Sequence, residues 1–161
     1  MTATLVDTNL LVYVHDARDT AKQARAAEVL GKGLKRGTLL LPHQAIVEFV
    51  AATTRRQANG WSILSPVEAW REAEEYLSIF PVVYPDELTV RWAIHIAGGL
   101  GLPWWDAHLL AYAYQHGIEE LLSEDFEHGR HYGKVRAVDP FRDDGSPPTP
   151  AGGARTGTQG P

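Results

Sequence analysis

Short apolar runs alternating with longer stretches of helical spacing constrain this chain more than any other feature. Thr4–Val6, Thr38–Leu41, Phe80–Tyr84, Glu120–Leu122 and Val135–Val138 have strand length. Between most of them, apolar residues recur three and four apart. Thr8 or Asn9 caps a brief helix after the first run. Asp19-Thr20 opens a second helix, with Ala24, Ala27, Val29, Leu30 and Leu34 expected inward and an end near Gly33 to Gly37. His43 to Ala58 reads as a third, with Ile46, Val47, Phe49, Val50 and Ala51 as its apolar face. Ser65-Pro66-Val67-Glu68 combines a capping box with a first-turn proline and starts a helix that runs to about Ser78. Pro85-Asp86 opens another through Leu88, Val90, Trp92, Ala93, Ile94 and Ala97, which Gly98-Gly99 is expected to end. Pro103-Trp104-Trp105-Asp106 opens the last, with Leu109, Leu110, Ala113 and Tyr114 inward and Gly117 as its stop. This alternation predicts an α/β fold with a parallel sheet covered on both faces, and right-handed crossovers that bring the strand ends to one edge.

A chain of 161 residues, 44% hydrophobic and 22% charged, is enough for one domain with a real core. That domain is expected over residues 1–142. Asp143 to Pro161 is rich in Pro, Gly, Ser and Thr and is expected to be a disordered tail. No apolar stretch reaches the roughly 18 residues that a membrane-spanning helix needs. Nor does the chain open on a basic segment followed by an apolar run and a cleavage site, so a cytoplasmic location is expected. The absence of cysteine excludes disulfides and thiolate metal sites.

Function is carried by acids at recurring places. Val6-Asp7-Thr8-Asn9 follows the first strand, Glu48 sits on the helix after the second, Asp106 opens a helix after a Gly-rich loop, and Asp125 follows a later strand. Each has a purely structural reading. Asp7 can cap a helix, Glu48 can occupy a solvated edge, Asp106 suits a helix dipole, and Asp125 suits a turn. Their joint placement is what points to chemistry. Acids at the carboxyl edge of an α/β sheet lie where such folds bind ligands. Four carboxylates aimed at one point stay ionised together only with a cation between them.

Four short words carry a family resemblance: Val6-Asp7-Thr8-Asn9, Glu48-Phe49-Val50, Trp105-Asp106-Ala107 and Ser123-Glu124-Asp125-Phe126, with Val138-Asp139-Pro140-Phe141 as an ending. Over residues 3–141 the chain resembles PIN-domain proteins, and most of all the VapC-type toxins of toxin–antitoxin pairs. The resemblance implies a PIN-like three-layer α/β/α sandwich with a central parallel sheet. It also implies a Mg²⁺- or Mn²⁺-dependent endoribonuclease whose acids are Asp7, Glu48, Asp106 and Asp125. Asn9 and Ser123 match the family's asparagine after the first acid and hydroxyl before the last. A cognate antitoxin and a homodimer are the partners it implies. One departure is visible: many members carry a serine a few residues before the glutamate, where this chain has Gln44 or Ala45.

On this reading Asp7, Asp106 and Asp125 are direct or water-bridged ligands of a hard cation. Glu48 ligates a second ion or orients the attacking water, while Asn9 and Ser123 fix carboxylate rotamers. Candidate RNA-gripping residues are Arg55 and Arg56 after Glu48, and Arg130, Lys134 and Arg136 after Asp125. The net charge of −5 argues against a generic basic coat for nucleic acid. The four acids carry four of those charges, which leaves the rest of the chain at −1. The seven histidines show no metal-ligand spacing, and the five tryptophans are expected in the core or at an interface. Two other classes compete: a PIN-like binding module without turnover, and an aspartyl-nucleophile phosphohydrolase. The latter wants an Asp where Asn9 stands and a lysine for which no clear candidate exists.

Overall fold

β1 (Thr4–Val6) is buried at every position because it runs through the middle of the sheet. In the computed structural model, which describes residues 2–142, it is followed by α1 (Thr8–Tyr13), α2 (Thr20–Arg36), β2 (Leu39–Pro42), α3 (His43–Thr54), α4 (Pro66–Ile79) and β3 (Val82–Val83). Then come α5 (Glu87–Leu100), α6 (Trp104–His116), β4 (Glu120–Leu122), β5 (His131–Tyr132) and β6 (Val135–Val138). The expected tail at 143–161 lies outside the described residues. The strand order is β3-β2-β1-β4-β6-β5, parallel throughout except for β5. Thr4 lies opposite both Leu39 of β2 and Glu120 of β4, so three strand starts are level.

Alternation along β1 builds two cores. Leu5 packs with Leu121, Leu109, Leu110 and Ile96 beneath α5 and α6. Val6 packs with Leu122, Leu10, Leu41, Phe49 and Tyr76 beneath α1, α3 and α4. The result is the expected three-layer sandwich. The chain winds from β1 outward to β2 and β3, then returns to the other side of β1 through β4. The carboxyl ends of β1 and β4 therefore flank a switch point, where helices depart to opposite faces and leave a crevice.

Helix faces differ from their expected orientation. Ala26, Leu30 and Gly33 form the buried stripe of α2, while Ala24, Ala27 and Leu34 face outward. Close approach decides this: a Cβ on Gly33 would stand 2.4 Å from Leu39 Cγ. Gly33→Ala is therefore expected to destabilise the fold by about 1–3 kcal/mol through overpacking. This outcome opposes the helix preference of about 1 kcal/mol for alanine over glycine. Thermal melts would check it, and a more stable variant would refute the packing argument. α3 stops at Thr54 rather than Ala58, with Val47 and Ala51 outward. α5 continues through Gly98-Gly99 and ends at Gly101, whose φ of 64° supplies the left-handed cap.

Along α5, Leu88, Val90, Trp92 and Ile94 are exposed, and only Thr89, Ala93 and Ile96 are buried. All five tryptophans are at least 40% exposed, so none is a core residue. Small residues allow α5 and α6 to pack closely, and the large ones are left on the outside. Among the described residues no helix is long and apolar enough to cross a membrane.

Candidate active site at the carboxyl edge of β1 and β4

Asp7 closes β1 and opens α1, and its two carboxylate oxygens divide the work. Oδ1 accepts from the Thr8 backbone N–H at 2.6 Å, which is the capping role. Oδ2 accepts from Ser123 Oγ at 2.6 Å and from Asn9 Nδ2 at 3.3 Å. Capping and site readings thus hold together in one residue. Ser123, fully buried at the end of β4, also accepts from the Asp125 backbone N–H at 3.1 Å. Its hydroxyl therefore ties the ends of β1 and β4. The Asn9 amide reaches Asp125 Oδ2 at 3.4 Å, so it bridges two carboxylates, and its own Oδ1 is buried with no partner.

Glu48 enters from α3. Gln44, one turn earlier and buried, donates Nε2 to Glu48 Oε1 at 2.8 Å and to the Trp105 carbonyl at 3.1 Å. Thr8 Oγ1 donates to the other Glu48 oxygen at 3.2 Å. Gln44 Oε1 lies 2.8 Å from His108 Nδ1. The glutamine thus links Glu48 to α6. Spacing of i, i+4 between Gln44 and Glu48 was the available sequence signal. His108 carried no such signal, because its partner lies in another helix.

Asp106 stands in the first turn of α6, where the helix dipole favours its charge. Partial burial raises its pKa, and the charges of Asp125 and Glu48 raise it further. Burial pushes the Asp7 carboxyl up to about 7, opposed by the Ser123 and Thr8 hydrogen bonds and reinforced by Asp125 and Glu48. The four acids therefore feel one another. Asp7, Glu48 and Asp125 line one cavity of about 340 Å³ with Thr8, Asn9 and Tyr13. Asp106 flanks this group from α6 rather than lining that cavity.

The donor set fits a hard divalent cation. Every group is a carboxylate or amide oxygen, and the orphaned Asn9 Oδ1 is a further oxygen donor. Yet among the described residues no three His, Asp or Glu side chains stand as a ready-made metal cage. Asp7, Glu48 and Asp125 each accept instead from a local donor: Ser123, Asn9, Gln44 or Thr8.

None of the expected RNA-gripping residues lines this cavity. Arg55 and Arg56 are exposed beyond α3. Arg130 pairs with Glu127 at 3.3 Å and lies over Tyr132. Lys134 lines a different cavity with Gly117 and Glu119. Arg136 is the second residue of β6, level with Glu120 at the start of β4 and two residues short of the strand's carboxyl end. The cation that does line the acid cavity is Arg18, in the α1–α2 turn, which carries no sequence signature.

A switch-point crevice lined by acids on a three-layer sandwich defines an α/β protein with an acidic ligand site at its sheet edge. The sequence profile of the PIN domain matches residues 4–134, and the chain belongs to the PIN domain family. Comparison with curated proteins finds no match. Among solved structures it is similar to the DNA-bound VapBC of Salmonella typhimurium, with TM-score 0.62, 13% identity, and coverage of 87% of this chain and 99% of that one. A toxin–antitoxin complex from Klebsiella pneumoniae matches with TM-score 0.61, 16% identity, and coverage of 86% and 98%. VapC20 of Mycobacterium tuberculosis, a Sarcin-Ricin loop cleaving toxin, matches with TM-score 0.55, 17% identity, and coverage of 74% and 87%. At these identities the likeness establishes the fold.

Proposed function

We propose that this protein is a Mg²⁺- or Mn²⁺-dependent endoribonuclease and the toxin half of a type II toxin–antitoxin pair. The observation that carries the reading is the gathering of Asp7, Glu48 and Asp125 around Asn9, with Asp106 flanking them. A binding-only module would leave the cost of burying Asp7 beside like charges without a purpose. When bound, Mg²⁺ or Mn²⁺ acidifies water and offsets charge at the reacting phosphorus.

Asp7, Asp106 and Asp125 hold the cation in this scheme, directly or through water. Asn9 and Ser123 set the rotamers of Asp7 and Asp125. Glu48, steadied by Gln44 and Thr8, holds a second ion or orients the attacking water and takes its proton. The water oxygen bonds to phosphorus as the P–O3′ bond breaks, leaving a 5′-phosphate and a 3′-hydroxyl. A labelled RNA should be cut with Mg²⁺, spared with chelator, and spared by the Asp106→Asn variant. Cleavage that survives both treatments would sink the scheme.

The partner side of the reading rests on the outer faces of α4 and α5. Val67, Trp70 and Leu77 of α4 and Leu88, Trp92 and Ile94 of α5 are exposed, large apolar side chains of the kind that partner surfaces cover. A second copy of the chain and a cognate antitoxin are the proposed occupants. Size-exclusion chromatography with light scattering on the protein alone separates them, since only self-association gives a dimer there.

A further inference from the structure

We propose that Arg18 is the substrate-phosphate anchor of this site, held ready by Asp16 and Trp61. The inference rests on the ribonuclease reading and adds to it a residue that grips RNA beside the scissile bond. Arg18 is the one cationic side chain lining the acid cavity among the described residues. Its position suits that role, because Asp7, Glu48 and Asp125 line the same cavity and repel a polyanion. Even with those acids neutralised by a cation, the phosphates flanking the cleaved one need a separate positive partner.

The side chain is fixed before any ligand arrives. Buried Asp16 accepts Arg18 Nε at 2.8 Å, Nη2 at 2.6 Å and the Arg18 backbone N–H at 3.1 Å. Asp16 is itself tied to the end of α1 by its N–H to the Tyr13 carbonyl at 3.2 Å. On its other side the guanidinium lies 4.6 Å from the centre of the Trp61 ring, in the loop between α3 and α4. A long, flexible side chain is thus locked in one rotamer across two loops. Asp16 engages two of the five guanidinium N–H groups, which leaves three donors in the planar arrangement that matches phosphate oxygens. The side chain remains 57% exposed, so those donors are open to a ligand.

The competing role is structural: Arg18 serves only to compensate buried Asp16. Affinity and its salt dependence separate the two. We would measure the Kd of a short, labelled single-stranded RNA by fluorescence anisotropy with Mg²⁺ present, in the Asp106→Asn background so that the strand stays intact. Arg18→Gln keeps an amide donor for Asp16 but lacks the charge, and Arg18→Lys keeps the charge but lacks the fork. The expected result is at least about a tenfold loss of affinity for Arg18→Gln. Its slope of log affinity against log salt should be shallower by about 0.7, one phosphate contact on a single strand. Arg18→Lys should retain the slope and lose part of the affinity. In the active background, KM should rise with little change in kcat. Unchanged affinity and slope in a folded Arg18→Gln protein would overturn the proposal alone. Failure of the parent protein to bind RNA at all would overturn the ribonuclease reading together with it.

Discussion

Replacing Asp7 by asparagine is expected to stabilise the metal-free protein while abolishing RNA cleavage. Asp7 is 6% exposed and titrates near 7 in the folded chain, against an ordinary value of 3.8, chiefly because burial disfavours its charge. An acid whose pKa is higher folded than unfolded keeps a proton that the unfolded chain releases. Stability therefore falls as pH rises from about 4 to about 7, and the whole penalty persists above that window. The shift sets an upper bound of about 4 kcal/mol, and a gain of about 2–4 kcal/mol is expected for Asp7→Asn at pH 8. Asparagine keeps an oxygen for the Thr8 N–H, the partnerless Asn9 Oδ1 can turn to meet its new N–H, and Ser123 Oγ must turn from donor to acceptor. The gain should vanish near pH 4, where aspartic acid is already neutral in both states. On the proposed ribonuclease reading, the cation supplies several kcal/mol and Asp7 holds it, so Asp7→Asn should cost on the order of 10³-fold in rate. Mg²⁺ should raise the melting temperature of the parent protein and not of the variant. A variant that is no more stable than its parent at pH 8 without metal would refute the burial argument.

Phe49→Ala should cost about 3–5 kcal/mol, a third or more of the stability of an ordinary domain. Phe49 is fully buried on α3, with Tyr76 edge-on at 5.3 Å and 85°, and His15 at 5.5 Å on another side. Chemical denaturation would show a lower midpoint at nearly unchanged slope. Because Phe49 follows Glu48 on the same turn, the variant should also lose cleavage beyond what its folded fraction explains. Val47→Ala is the internal contrast, since Val47 is 53% exposed and its loss should stay within about 0.5 kcal/mol.

The acids were legible in the sequence because their settings are local. Asp7 sits between a strand and a cap, Asp106 in a first turn, and Asp125 just past a strand end, and each setting is written in a few neighbouring residues. Fold class was legible for the same reason: strand-length and helix-length patterns alternate, and parallel pairing follows from the crossovers. The capping box at Ser65 and Glu68 appears as its spacing implies, with Glu68 Oε2 accepting the Ser65 N–H at 2.8 Å. Short β5 escaped notice because two residues carry no periodicity.

Helix rotation and the supports around the acids were not legible. Ala24, Ala27 and Leu34 look as apolar as Ala26 and Leu30, and only the contact between Gly33 and Leu39 selects the buried stripe. Periodicity gave α5 its helix without saying which of its apolar residues are covered, and Leu88, Val90, Trp92 and Ile94 are exposed. Gln44 and His108 meet from different helices, and Arg18 reaches the acid cavity from a turn that no motif marks. Amino-acid order alone therefore determined the strand–helix alternation, the glycine that ends α6 and the residues able to supply oxygen donors. Tertiary packing alone decided which faces are buried and which side chains steady Glu48. It likewise decided which cation stands over the acids, because those outcomes depend on distances between segments far apart in the chain.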